Sequence, residues 1–242
     1  MDAIRTEGLT KVYKNVVAVE DLTLSVGRGE LFSLLGINGA GKTTTIKMLS
    51  GLTQPTKGDA FLCGKSIRKN APEVKSLIGV SPQETAVAPG LSVKENLMLI
   101  CGVHGFTKEQ QAGKIAELAG HLGLESVMEK KAGKLSGGWQ RRLSIAMALV
   151  SQPQILFLDE PTLGLDVIAR SELWDLIRSL KGKITIILTT HYMEEAEALS
   201  DRVGILKDGR LLLCETVAGI KEKAGTANFE EAFVRIVKGE KT

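Results

Sequence analysis

The chain has 242 residues, 43% of them hydrophobic and 24% charged, a balance that suits a globular chain with a sizeable core and excludes a disordered one. Thirty-one Lys and Arg against 28 Asp and Glu leave a formal charge of +3, too even for a nucleic-acid tail or a polybasic membrane anchor. Cys63, Cys101 and Cys214 are odd in number and scattered, which fits a reduced thiol pool better than a disulfide framework or a zinc site. The N-terminal MDAIRTEGLTKVYK carries charges and no apolar stretch of the secretory kind, and no run approaches the roughly 18 apolar residues of a membrane-spanning helix. The expectation is a chain that does not enter a membrane on its own.

In chain order, residues 16–26 alternate apolar and polar in places, as a half-buried strand does. Gly27 and Gly29 mark a turn before the short apolar strand Leu31–Leu35. A glycine-rich loop follows, then a helix from Lys42 to Ser50 with Gly51 placed to end it. Between roughly 90 and 150 only helical patterns occur, which reads as a helical insert. Residues 154–158 form a second apolar strand, 168–180 a helix with Leu173, Leu176, Ile177 and Leu180 on its apolar side, and 183–189 a buried β-branched strand. A short helix over 192–200 precedes two strands, 203–206 and 210–214, joined at Asp208-Gly209, a strong hairpin turn. Strands alternating with helices argue for a parallel α/β sheet. The opening strands and the closing hairpin argue for an antiparallel piece beside it.

Three segments carry chemistry. Gly36-Ile37-Asn38-Gly39-Ala40-Gly41-Lys42-Thr43 matches the phosphate-binding P-loop, with a strand before it and a helix after it. Its glycines let backbone N–H groups turn inward around phosphate oxygens, and the helix N-terminus adds a favourable dipole. Lys42 can offer a point charge to β- and γ-phosphates, and Thr43 a hydroxyl to Mg²⁺. Thr43-Thr44-Thr45 is a β-branched helix start of weak intrinsic propensity, easier to understand if packing and bound phosphate help to hold it. The second segment, Ile155 to Glu160, is an apolar strand that delivers two carboxylates at its C-terminal end, the edge where parallel sheets place ligands. Asp159 then suits Mg²⁺ and Glu160 the activation of a water, provided the turn brings both to one side. Alone, such a strand more often runs into a solvated loop. The third is Leu135-Ser136-Gly137-Gly138-Trp139-Gln140, where Ser136 can cap a helix whose first amides the glycines leave uncovered.

The order of P-loop, Leu-Ser-Gly-Gly segment, Leu-Phe-Leu-Asp-Glu strand and His191 resembles the nucleotide-binding subunit of ATP-binding cassette (ABC) transporters, over nearly the whole chain. The resemblance implies an α/β P-loop NTPase fold of the ABC ATPase type, a mixed sheet core with an antiparallel β subdomain and a helical subdomain. The ATP-binding core would take residues 1–85 and 151–215, the helical subdomain 86–150 and a C-terminal helical tail 216–242. Tyr13 then matches the aromatic that stacks on adenine, Gly36, Asn38, Gly39, Ala40, Gly41, Lys42, Thr43 and Thr44 the Walker A loop, and Gln83 the loop glutamine that senses Mg²⁺ and faces the membrane partner. Ser136, Gly137 and Gly138 match the family signature, Asp159 Walker B, Glu160 the catalytic base, Asp166 the loop that crosses between subunits, and His191 the switch histidine at the γ-phosphate. Ile37 stands where many relatives have proline and Trp139 where the common signature has glutamine. His104 and His121 are read as surface residues of the insert.

The family also implies what spacing cannot show: Mg-ATP held between one chain's P-loop and another's signature in a head-to-tail dimer, a homodimer in the simplest case. That dimer would lie at the cytoplasmic face of the membrane on a separate permease subunit, with no nucleic acid involved. Gly164 to Val167 with Arg170, His191 to Glu197, and Asn228 to Phe233 resemble the drug-export branch, although the last stretch also reads as an amphipathic helix docked on its own domain. Two alternatives stay open: a soluble ABC ATPase of the iron–sulfur assembly type, and a P-loop kinase acting on a metabolite.

Overall fold

The computed structural model describes residues 2–239. Two long strands, β1 (Asp2–Tyr13) and β2 (Val16–Gly27), pair antiparallel, and β1 also pairs with β4 (Lys57–Leu62), which pairs in turn with the short β5 (Lys65–Ser66). The result is a four-stranded antiparallel sheet in the order β2-β1-β4-β5. The second sheet holds β3 (Leu31–Leu35), β6 (Ile78–Ser81), β7 (Ile155–Asp159), β8 (Thr185–Thr190), β9 (Arg202–Lys207) and β10 (Arg210–Glu215), in the order β10-β9-β3-β8-β7-β6. Five of these strands run parallel and β10 is antiparallel at the edge. At its junction with β9, Asp208 and Gly209 both take positive φ, 48° and 80°, as a tight two-residue hairpin requires.

Strands β3, β7 and β8 are buried along their whole length because both faces of the mixed sheet are covered. Alternate residues serve the two faces. Ile155 and Phe157 join the core shared with the antiparallel sheet and with α1 (Lys42–Leu49). Leu156 and Leu158 join the core beneath α3 (Val93–Val103), α4 (Lys108–Leu122), α5 (Gly137–Leu149) and α6 (Val167–Leu180). Between β6 and β7 no strand occurs, so the helical reading of 90–150 matches these elements. Its ends are written locally: Ser92 with Glu95 and Thr107 with Gln110 form reciprocal capping boxes that start α3 and α4. No helix among the described residues is long and apolar enough to cross a membrane.

A third core closes the C-terminal side. There α7 (Met193–Leu199), α8 (Val217–Ala224) and α9 (Phe229–Lys238) pack on β9 through Ala196, Ile220, Phe229, Ala232 and Phe233. The amphipathic stretch from Asn228 is thus a helix docked on its own domain. Sequence patterning had assigned nothing over 57–81, where β4, β5, α2 (Ala71–Leu77) and β6 lie.

Candidate nucleotide site

The C-terminal ends of β3, β7 and β8 lie side by side in the mixed sheet, and the site is built on that edge. Beyond β3 the chain turns through residues 36–41 into α1. Gly41 occupies the N-cap position with φ 102°, and a Cβ there would sit 2.5 Å from the Ala18 carbonyl oxygen of β2, so only glycine fits. The β9–β10 hairpin braces the same loop: Gly209 N–H donates to the Ala40 carbonyl at 3.2 Å, and Glu20 N–H to the Gly209 carbonyl at 2.8 Å. The three threonines that open α1 are held by more than propensity. Thr45, fully buried, donates its hydroxyl to the Gly41 carbonyl at 3.0 Å.

Lys42 is 6% exposed. Its ammonium donates to the Gly36 carbonyl at 2.7 Å and the Ile37 carbonyl at 3.2 Å, and lies 3.1 Å from Glu160 Oε1. Asp159, the last residue of β7, accepts from the Thr43 hydroxyl at 3.1 Å and from the Thr189 hydroxyl. The next residue would point away if the strand continued. Instead Glu160 takes a positive φ of 48°, which swings the second carboxylate to the same side. His191, one residue past β8, donates from Nδ1 to Glu160 Oε2 at 2.7 Å, a bond that requires the proton on that nitrogen.

Lys42, Thr43, Glu160 and His191 line an open pocket of about 420 Å³ together with Asn38, Gly39, Ala40, Gly41, Thr44 and Gln83, while Asp159 lies behind the lining, bonded to Thr43. Loop amides, a helix N-terminus and a lysine facing one cavity are the chemistry of phosphate binding. The Thr43 hydroxyl, the Asp159 carboxylate and the Gln83 amide are all oxygen donors, the kind that Mg²⁺ takes.

Other expected residues lie elsewhere. Tyr13 ends β1 outside the pocket lining, 43% exposed, with Lys11 Nζ 4.9 Å from its ring centre. Gly36 lies outside the pocket lining and accepts Lys42 on its carbonyl. Ser136 stands at the N-cap of α5 but its side chain makes no capping bond, which corrects the expectation of a cap and leaves the hydroxyl exposed beside exposed Gly137. The two glycines abut the start of α6 and the loop before it: a Cβ would meet Leu165 at 3.4 Å from Gly137 and Ala169 at 3.1 Å from Gly138. Asp166 caps α6, accepting from the Ala169 N–H at 2.9 Å. Trp139 turns its ring onto the core under α5, with the Arg142 guanidinium 5.2 Å from its centre. His104 and His121 are exposed.

Sequence reasoning missed two buried charges. Arg141, 5% exposed, donates to the Pro82 and Gln83 carbonyls at 2.5 and 2.6 Å and so ties the loop of Gln83 to α5. Burial pushes its guanidinium pKa down, and the charges of Asp159 and Glu195 push it back up. Arg141 was visible as half of a basic pair, but a contact spanning 58 residues leaves no local signal. Glu195 is fully buried near Trp174.

Fold and pocket together define a P-loop nucleotide-binding domain. Residues 19–163 match the family model described as "ABC transporter", more than half of the chain. The chain belongs to the ABC transporter family, as an ATP-binding domain. It is 45% identical over 202 residues to the Nod factor export ATP-binding protein I of Burkholderia pseudomallei, covering 83% of this chain and 66% of that protein. It is 38% identical over 226 residues to the human phospholipid-transporting ATPase ABCA3, covering 92% of this chain and 13% of that protein. The chain therefore spans less than two thirds of either relative. A solved dimer of the ATP-binding cassette MJ0796, in a post-hydrolysis state with ADP and Pi, superposes with TM-score 0.79 at 27% identity, covering 88% of this chain and 98% of that one.

Proposed function

We propose that this chain binds and hydrolyses Mg-ATP in a head-to-tail dimer and drives export through a separate permease, on the cytoplasmic face of a membrane. The observation that carries the reading is the convergence of Lys42, Glu160 and His191 on one pocket at the end of the P-loop. The amides of Gly39 to Thr44 and the Lys42 ammonium would hold the β- and γ-phosphates. Glu160 would take a proton from the attacking water as the γ-phosphorus–oxygen bond to ADP breaks, with His191 holding the carboxylate in place. Thr43, Asp159 and Gln83 would hold Mg²⁺, which when bound neutralises phosphate oxygens.

Ser136, Gly137 and Gly138 lie outside this pocket, so in the same reading they serve the nucleotide of a second copy, with Asp166 at the crossing between copies. Tyr13 would meet the base at the pocket's outer side. Export is supported by the Nod factor export relative and by the segments near Asp166, His191 and Asn228. The segment 86–150, tied to Gln83 by Arg141, would carry the motion to the permease. Replacing Glu160→Gln should leave ATP affinity within twofold and cut turnover by about 10²-fold or more. Light scattering should show its mass double on adding Mg-ATP. Wild-type turnover in that variant would remove Glu160 from the role of base.

A further inference from the structure

The turn that carries His191 is fastened from behind. Thr190, the last residue of β8, accepts the Tyr192 N–H on its hydroxyl at 2.9 Å. The His191 and Tyr192 rings lie 4.1 Å apart between centres, and the Arg170 guanidinium of α6 covers Tyr192 at 4.9 Å. Behind the turn, in the first turn of α7, stands Glu195 with no exposure at all.

The carboxyl of Glu195 is bonded to α6 and lies close to two further segments. Its Oε1 accepts from Trp174 Nε1 of α6 at 3.1 Å. Burial raises the carboxyl's pKa, and the nearby hydroxyls of Thr190, at the end of β8, and Thr162, in the loop that runs from Glu160 to Asp166, pull it back down. Arg141 and Glu160 are the charged groups close enough to act on it. Glu195 Oε2 and the Thr162 hydroxyl are both buried without a hydrogen-bond partner among the described residues, as is Arg170 Nε of α6. Buried polar atoms are rarely left so, and a carboxyl is a costly way to fill space that an apolar side chain would fill. A small approach of the 161–166 loop to α7 would join the pair.

We propose that Glu195 is a positioning residue that links the 161–166 loop, through Thr162, to the turn that aims His191 at Glu160. The inference rests on the reading of Glu160 and His191 as the hydrolytic pair. It adds that the loop ending at Asp166, next to the signature glycines, and the histidine in the pocket are set by one carboxyl. Movement on the side offered to a second copy would thereby be felt at His191.

Two readouts on the full chain test it. The first needs no turnover: the imidazole resonances of the three histidines. Glu195→Ala should move the His191 signals and leave those of His104 and His121, while Glu195→Gln, which keeps an acceptor for Trp174 and a donor for Thr162, should leave all three. The second is kinetic. Glu195→Ala should lower kcat for ATP about tenfold or more with KM within twofold, and Glu195→Gln should restore it to within threefold. Should the alanine variant fail to fold, Trp174→Phe removes the N–H and keeps a ring, and should move the His191 signals and kcat the same way.

Unmoved His191 signals with unchanged kcat in Glu195→Ala would overturn the proposal. A glutamine variant as impaired as the alanine one would overturn it too, by making charge rather than hydrogen bonding the requirement. A wild-type chain that turns over no ATP would sink the hydrolytic reading instead, and the histidine spectra would still judge the link.

Discussion

Helices α1 and α5 both begin at glycine-rich turns with uncovered amides, yet the protein treats the two starts in opposite ways. At α1 the turn is walled by β2, braced by the hairpin tip at Gly209 and faced by Lys42, Glu160 and His191. At α5 Ser136 and Gly137 are exposed, and Gly137 and Gly138 abut Leu165 and Ala169 rather than any group of the pocket. In the proposed reading the first start is a complete phosphate site. In the same reading the second is half of one, left exposed for another copy of the chain.

The contrast can be broken from either side. Lys42→Ala acts on the first start and should have the larger effect, at least a tenfold loss in affinity for a fluorescent ATP analogue. It also leaves Glu160 buried with His191 as its remaining partner, so thermal unfolding should fall, by up to about 3–5 kcal/mol. Retained affinity would mean that the loop amides suffice. Gly137→Asp acts on the exposed start. Nucleotide affinity of the single chain should stay within twofold while ATP-dependent doubling of mass in the Glu160→Gln background disappears. Equal loss of binding in both variants would erase the distinction. The smallest effect is expected at the neighbouring loop, where Asp166→Ala removes the cap of α6 and should cost about 1 kcal/mol in denaturant unfolding.

Much of this was legible because it is local. The P-loop, the carboxylate pair at the end of β7 and the Asp208-Gly209 turn each declare themselves within a few residues. Whole strands also read correctly where burial on both faces makes the run continuously apolar, as in β7 and β8. What stayed hidden depends on partners far away in sequence. Lys57 to Leu62 contains a glycine and two charged residues, and it becomes β4 only because β1 offers it a ladder. Ser136 looked like a cap because its residue type fits that place, but residue type does not say where the hydroxyl points. The burial of Glu195 left no mark within its own short helix, since what surrounds it comes from α6, β8 and the 161–166 loop. Tyr13 was placed by resemblance alone, and its exposure leaves it outside the lining.

The order of strands in the mixed sheet has a consequence for how the protein comes into being. β3, which delivers the P-loop, lies between β8 and β9, and both begin after residue 184. The P-loop, which ends at Thr43, is therefore synthesised roughly 140 residues before β8, the nearer of the two strands that β3 pairs with, begins at Thr185. Long-range parallel pairing of this kind is slow to form and leaves apolar edges bare meanwhile. The family match, confined to residues 19–163, includes β3 and neither of its neighbours. A translation product that stopped there would spell out the motif and lack the architecture that makes it a site.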